Sequence, residues 1–537
     1  MTFLSIDETP EASSEKSIYL TNPLGFNLHA SYCELPDYFY ERVAPTPVKH
    51  PRLVLLNERL SAELGLDVQE IQTLQTSQPE TLAGFFSGNL PLPNTPPISP
   101  FAQAYAGHQF GHFTMLGDGR AIVLGEQITS EGMRFDIQLK GPGQTPYSRR
   151  GDGRAALGPM LREVIISEAM HALGVPTTRS LAVVTTGEPV FRDYPLPGAI
   201  LTRVAESHIR VGTFEYAIRR AGKDGVKALA DYTIRRHYSH LIEATSRELT
   251  EAHYLAFLHE VMIRQARLMA KWMGVGFVHG VMNTDNMSIC GETIDYGPCA
   301  FLDAYHPATV FSSIDHQGRY AYGNQPIIAQ WNLARFAESL IPILHQAPEE
   351  ALTLAESAIQ DFPGLFQQEW LRVMGQKIGL ADPVEADRGF IIELLNHMQE
   401  AKADFTNTFR ALPEWLDSSS CEPKSEENAL MFPQEWLEKW HQRVLSQNPS
   451  INEIGTLLYQ SNPQVIPRNH QVEAALDEAE ASLADLESRI ELTRFHALLE
   501  ALQNPFETQS YESQPSRQDF YLPASKDAPP YRTFCGT

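Results

Sequence analysis

Asn286 and Asp295 stand at the two ends of a short segment, NMSICGETID, that follows His279 and runs into Gly297. An amide oxygen and a carboxylate so placed can give two ligands to a hard cation such as Mg2+, which keeps waters and grips phosphates at the same time. The plainer reading of such a pair is an Asx turn. Beside the amide, Asp285 is a carboxylate that can accept a proton from an attacking hydroxyl or help hold metal. Upstream, Lys140 ends the segment RFDIQLK. A lysine at a strand end facing a cleft holds phosphates as a point charge, whereas elsewhere it is simply solvated. A carboxylate on the next helix would fix it, and Glu163 is favoured over Glu168.

Glycines and arginines add to this set. Gly117-Asp118-Gly119-Arg120 and Gly151-Asp152-Gly153-Arg154 are two G-D-G-R turns. Glycine lets backbone N–H groups approach phosphate closely, and arginine adds a charge-assisted bond. Each turn alone is ordinary; two copies around a strand lysine point to one pocket. Arg203 and Arg210 flank VAESHI and can bind phosphate bidentately, although surface pairing is the commoner fate of an arginine. His108, His112 and His279 read as structural, and AYAGHQFGHF is not a metal motif.

These residues need elements to hold them. Residues 121–126 and 134–140 read as strands joined by a polar turn. Phe135, Ile137 and Leu139 alternate with Asp136, Gln138 and Lys140, which puts Lys140 on the face opposite the apolar one. Residues 161–174 are helical and end at Gly174 and Pro176. Residues 180–193 and 198–207 read as two further strands. Residues 253–274 form an amphipathic helix carrying Leu255, Leu258, Met262, Met269 and Trp272. Helices are expected over 327–345 and 364–380, and a long one over 474–502. Residues 1–20 read as a loose tail, 36–110 as a segment wrapping the outside, and 418–428 as an exposed linker. No internal repeat is seen.

Composition bounds the partners. The chain has 537 residues and a formal net charge of −24. An acidic surface disfavours nucleic acid or an anionic membrane as the main partner. Five cysteines (Cys33, Cys290, Cys299, Cys421 and Cys535) make neither a disulfide framework nor a zinc site. With no basic-apolar leader and no apolar run near the ~18 residues of a membrane helix, the expectation is a cytoplasmic protein.

The order of parts is that of a protein-kinase-like fold. A kinase catalytic loop reads H-R-D-L-x-x-x-N and is followed by D-F-G. Here His279, Asn286 and Asp295-Tyr296-Gly297 keep the frame, but Val281 occupies the base position. Valine accepts no proton, so Asp285 is the replacement candidate. The expected class is α+β, a protein-kinase-like two-lobed fold with N-terminal and helical C-terminal extensions. Its parts are residues 1–110 (tail and wrapping segment), 111–205 (N-lobe), 206–345 (C-lobe with the catalytic and metal loop) and 346–537 (helical extension and tail). γ-Phosphate transfer by a protein or small-molecule kinase and a catalytically silent ATP-binding scaffold are functional readings of this frame.

The segments AYAGHQFGHF, LGDGR, QLKGPGQTPYSRRGDGRAALGPMLRE, RVAESHIRVGTFE, VHGVMNTDNMSICGETIDYGPCAF and NPQVIPRNHQVEAAL closely resemble the selenoprotein O family, also called the YdiU family, from about residue 25 to the C-terminus. The resemblance implies a kinase-like enzyme that binds its nucleotide flipped and transfers AMP from ATP to hydroxyls of protein substrates, with Mg2+ or Mn2+. Bacterial members are also described as using UTP. Carried over, Gly117, Gly119, Arg120, Lys140, Asp152, Gly153, Arg203, Arg210 and Asp295 bind nucleotide. Asp285 is then the base, and Asn286 and Asp295 are the metal ligands. The family also raises a redox-sensitive disulfide from Cys535, with Cys290 or Cys299 as partner, against the plainer reading of free buried thiols.

Overall fold

The structure is a computed structural model and describes residues 22, 24–94, 96–243, 248–416, 432–447, 450–482, 490–507, 519–525 and 527–533. The tail over 1–20, the linker over 418–428 and Cys535 lie outside the described residues.

Strands come early in the chain. They are β1 (Leu28–His29), β2 (Tyr40–Arg42), β3 (Arg52–Leu56), β4 (Phe101–Gln103), β5 (Ala106–Gln109), β6 (His112–Met115), β7 (Ala121–Ile128), β8 (Arg134–Lys140), β9 (Ala155–Ala156), β10 (Arg179–Phe191) and β11 (Pro195–Ala205). All but β5 and β6 join one sheet in the order β2-β4-β7-β8-β11-β10-β3, with β1 beside β7 and β9 beside β11. Each pairing in it is antiparallel. The segment read as a wrapper thus supplies β2–β4, including both edges of the sheet.

The period of two on β8 holds. Ile137 and Leu139 are buried, with Phe135 packed beside them, under helices α1 (Glu58–Glu63), α2 (Val68–Ser77) and α3 (Pro79–Ser87), against Leu60, Ile71, Leu82 and Phe85. The other face carries Asp136, Gln138 and Lys140, and it is buried as well. Buried polar groups must find partners, so this face is a charged layer rather than a solvated one.

Helix α4 (Leu157–Ala172) lies on that second side, packed on β10 and β11. It stops at Gly174, whose φ of +73° is a backbone that glycine adopts cheaply. The rest is mainly helical: α5 (Val211–His237), α6 (Glu251–Gly274), α7 (Gln325–Leu344), α8 (Pro348–Lys377), α9 (Asp387–Ala401), α10 (Phe405–Ala411), α11 (Gln434–Leu445), α12 (Ile451–Ser461), α13 (Asn469–Ala481) and α14 (Thr493–Gln503). The 364–380 pattern is therefore the second half of a longer helix.

The expected long helix over 474–502 is instead two helices. The backbone at Leu492, just before α14, is not helical. Ala475, Leu476 and Ala479 from α13 and Phe495, Leu498 and Leu502 from α14 all reach the core that α4–α8 share. One straight helix could not bring both apolar stripes there. A separate core gathers α9–α12 around Trp436 and Trp440. The fold is a mixed α and β structure with a large antiparallel sheet and many helices. Among the described residues no helix is long and apolar enough to cross a membrane.

Candidate active site

The loop after α6 is closed at its base by β12 (Phe277–Val278) pairing with β13 (Ala300–Phe301). Two further seams hold it. Val211 and Ile289 donate backbone bonds across to Met287 and Ile209, which ties Arg210 to the loop. Thr178 and Thr293 bond to Thr293 and Pro176, which fixes the chain just before Asp295. His279 is fully buried, lies flat on Trp272 and donates from Nε2 to the carbonyl of Ile294 at 2.9 Å. Burial lowers its pKa.

A cavity of about 770 Å3 opens between the sheet and this loop. Lys140 lines it. Its Nζ donates to Glu163 at 2.6 Å and to Asp295 at 2.7 Å. Glu168 turns away and pairs with Arg179 at 2.7 Å. Arg203, opposite Gln138 in the β8–β11 register, reaches Glu163 at 3.3 Å and Gln138 at 2.6 Å. Burial pushes the Asp295 carboxyl up, but Lys140, Arg120 and Arg203 outweigh this and hold it well below the usual carboxylate range. Asp295 has a φ of 66°, a left-handed backbone that aspartate tolerates better than most residues.

Arg210 lies over the ring of Tyr105 at 4.4 Å and donates to the carbonyl of Asp285 at 3.1 Å. Its Nη2 is buried with no hydrogen-bond partner, 3.9 Å from Asp118. A buried guanidinium with a spare donor beside a cavity suits an anionic ligand. Asp285 is 8% exposed, and burial pushes its pKa up to about 6 against the opposing charge of Arg210. Asn286 donates from Nδ2 to the carbonyl of Val281 at 3.0 Å, which leaves its oxygen uncommitted.

The cavity brings together Gly119, Arg120, Lys140, Glu163, Arg203, Arg210, Asp285, Asn286 and Asp295, with Val281 also in its wall. Gly117, Asp152 and Gly153 do not line it. Gly117 is packed against Tyr147, where a Cβ would come within 2.3 Å of the ring. Asp152 is held outside by Arg192 at 2.9 Å. Gly153 sits 2.0 Å, measured from an added Cβ, from the carbonyl of Gly143. The sequence reading left out Gln109, Asp118, Gln138 and Asn283. The alternation that placed Lys140 also places Gln138, and Asp118 lies inside the first G-D-G-R turn. Among the described residues Cys290 and Cys299 are buried and form no disulfide.

The sequence has counterparts among known proteins. Residues 24–503 match the family described as "Protein adenylyltransferase SelO". The chain belongs to this family. Among its relatives, "Protein nucleotidyltransferase YdiU" of Bacillus mycoides (strain KBAB4) is 53% identical over 522 residues, covering 96% of this chain and 99% of the relative. The proteins of the same name from Bacillus cytotoxicus and Brevibacillus brevis (strain 47) are 52% and 53% identical, each across 96% of this chain and 98% of the relative. The chain is accordingly an enzyme, and nucleotidyl transfer is the class its family names.

Proposed function

We propose that this member of the family transfers AMP from ATP to Ser, Thr or Tyr hydroxyls of other proteins, with UTP as an alternative donor of UMP. One observation carries the reading. Asp285 shares a cavity with Lys140, Arg203 and Arg210, while the position where a kinase keeps its base is Val281. With the family described as a protein adenylyltransferase, that carboxylate is read as the base for attack on the α-phosphorus.

In this reading Asp285 takes the proton from the acceptor hydroxyl as the hydroxyl oxygen bonds to the α-phosphorus and pyrophosphate leaves. Lys140, Arg120, Arg203 and Arg210 neutralise the charge that develops on the phosphates. Glu163 holds Lys140 in place. Gly119 lets the backbone approach the nucleotide, and Gly117, Asp152 and Gly153 act from the loops bordering the cavity.

Mg2+ or Mn2+ fits the remaining oxygens. Asn286 keeps its Oδ1 and Asp295 its Oδ2, since Val281 and Lys140 occupy their other polar atoms. Among the described residues no three His, Cys, Asp or Glu side chains gather as a metal site. The cation would therefore share Asn286 and Asp295 with phosphate oxygens and water, as Mg2+ commonly does. When bound, it supplies charge neutralisation at the phosphates.

Strands β7–β11 with α4 then make up the N-lobe over 111–205, and the loop with α5–α7 the C-lobe over 206–345, flanked by residues 1–110, which add β1–β4 to the same sheet, and 346–537. The net charge of −24 favours protein over nucleic acid or membrane as partner, in the cytoplasm. The test is one incubation with mixed protein substrate, Mg2+ and Mn2+, run with α-labelled and with γ-labelled ATP. Label from the α-position alone is expected. Label from the γ-position alone would mean a kinase with a relocated base. ATP binding with no label would mean a silent scaffold.

A further inference from the structure

The AYAGHQFGHF stretch forms a hairpin of its own. β5 and β6 pair Ala106 with Met115, His108 with Phe113 and Gln109 with His112, and the Phe110-Gly111 turn carries φ values of 50° and 86°. This hairpin is not part of the large sheet. It lies on the start of α5 and on the 284–286 turn of the catalytic loop.

Its contacts with that loop are specific. The N–H of His108 donates to the Thr284 hydroxyl at 2.7 Å. The N–H of Phe110 donates to Asn283 Oδ1 at 3.1 Å, the same oxygen that accepts from the Tyr320 hydroxyl at 2.7 Å. Behind them Glu215 accepts from Thr284 and pairs with His108. Three successive hairpin residues thus engage three successive loop residues, and the middle one meets Asp285.

Strand alternation puts Gly107 and Gln109 on one face of β5, turned toward Asp285. A Cβ on Gly107 would come within 2.3 Å of Asp285 Oδ1, so the strand lies as close as glycine permits. That Oδ1 is buried and has no hydrogen-bond partner. The other oxygen, Oδ2, meets the Nε2 of Gln109 at 3.5 Å. Arg210 holds the backbone carbonyl of Asp285, not its carboxylate by a hydrogen bond. Gln109 is the donor left to set which way the carboxylate faces, and it lines the cavity beside it.

We propose that the β5–β6 hairpin is a clamp on the catalytic loop and that Gln109 is a positioning residue, aiming the Asp285 carboxylate at the acceptor hydroxyl. The inference rests on Asp285 being the base. The 3.5 Å separation is longer than a full hydrogen bond, and catalytic contacts of this kind tighten when substrate arrives. A misaimed base costs turnover and leaves nucleotide binding alone.

The test measures kcat and nucleotide KM for AMP transfer in the full chain with Gln109→Leu, Gly107→Ala and Asp285→Asn, alongside thermal midpoints. Gln109→Leu should lower kcat by about ten- to a hundredfold, with KM for ATP within about twofold and an unchanged midpoint. Gly107→Ala, which presses on the other oxygen of the same carboxylate, should show the same split. A Gln109→Leu enzyme with wild-type kcat, beside an inactive Asp285→Asn, would overturn the positioning role alone. A loss seen in KM for ATP rather than kcat would overturn it too, making Gln109 a nucleotide contact. Full activity in Asp285→Asn would overturn the base assignment beneath it.

Discussion

Glu163→Gln is the sharpest probe of the charged layer. The side chain keeps its shape and loses its charge. In the native protein Glu163 accepts from Lys140 at 2.6 Å and Arg203 at 3.3 Å, and the side chains of all three are at most 6% exposed. Breaking a buried pair typically costs about 3–5 kcal/mol, because the partner is left uncompensated. Here Asp295 still faces Lys140 at 2.7 Å, and the glutamine oxygen still accepts. The loss should therefore be smaller, about 2 kcal/mol. Activity should fall further than stability. With Glu163 neutral, the ammonium is drawn toward Asp295 alone and away from the phosphates it is meant to meet. Loss of one preorganised donor costs on the order of a hundredfold in kcat. Urea unfolding gives the first quantity, and transfer of α-labelled AMP at saturating ATP gives the second. A variant that is as stable as wild type and turns over within about twofold of it would refute the coupling of Glu163 to Lys140.

Three further outcomes follow from the same structure. Asp295→Ala should abolish transfer at any concentration of Mg2+ or Mn2+; full turnover on adding either cation would remove Asp295 from the metal site. Gly153→Ala should destabilise the loop after β8 by about 1–3 kcal/mol, since the φ of 67° and the Gly143 carbonyl 2.0 Å from the new Cβ both oppose it; an unchanged urea midpoint would show that the loop yields freely. Lys377 is buried on the rings of Phe405 and Phe409 and bonded to Asn462 at 2.9 Å, far from the cavity. Burial lowers its pKa from 10.5 to about 7. Between those values the unfolded chain binds the proton and the folded one does not, so this lysine makes stability rise with pH, by at most about 1.4 kcal/mol per pH unit. Urea unfolding of wild type and Lys377→Met from pH 7 to 10 should show that slope only in wild type; parallel curves would refute the burial penalty.

Much of the site was readable because it rests on local patterns. The alternation along β8 places Lys140 opposite Ile137 and Leu139 whatever the strand packs on. Glu163 and Glu168 are five positions apart on one helix, about 140° around it, so only one of them can face a given strand end. What the pattern could not show is that the polar face of β8 is buried. That follows from α4 and the catalytic loop closing over it, contacts far apart along the chain. The same limit hid the hairpin. Nothing local in AYAGHQFGHF says that its middle residue meets Asp285, which lies more than a hundred positions away. The two G-D-G-R turns are alike as strings, yet only the first lines the cavity. The second is turned outward by the Arg192–Asp152 pair, whose partners also lie far apart.

Val281 then stops being a defect in a kinase frame. Val281 lies in the wall of the cavity with Asp285 and Asp295. The chain instead puts its second carboxylate at position 285, where the hairpin packs against it and Arg210 grips the backbone behind it. The apolar side chain at 281 leaves its backbone carbonyl to orient Asn286. The proposed base and the proposed metal ligand are thus held by different partners, the hairpin for one and the backbone carbonyl of Val281 for the other. Each is oriented by its own partner.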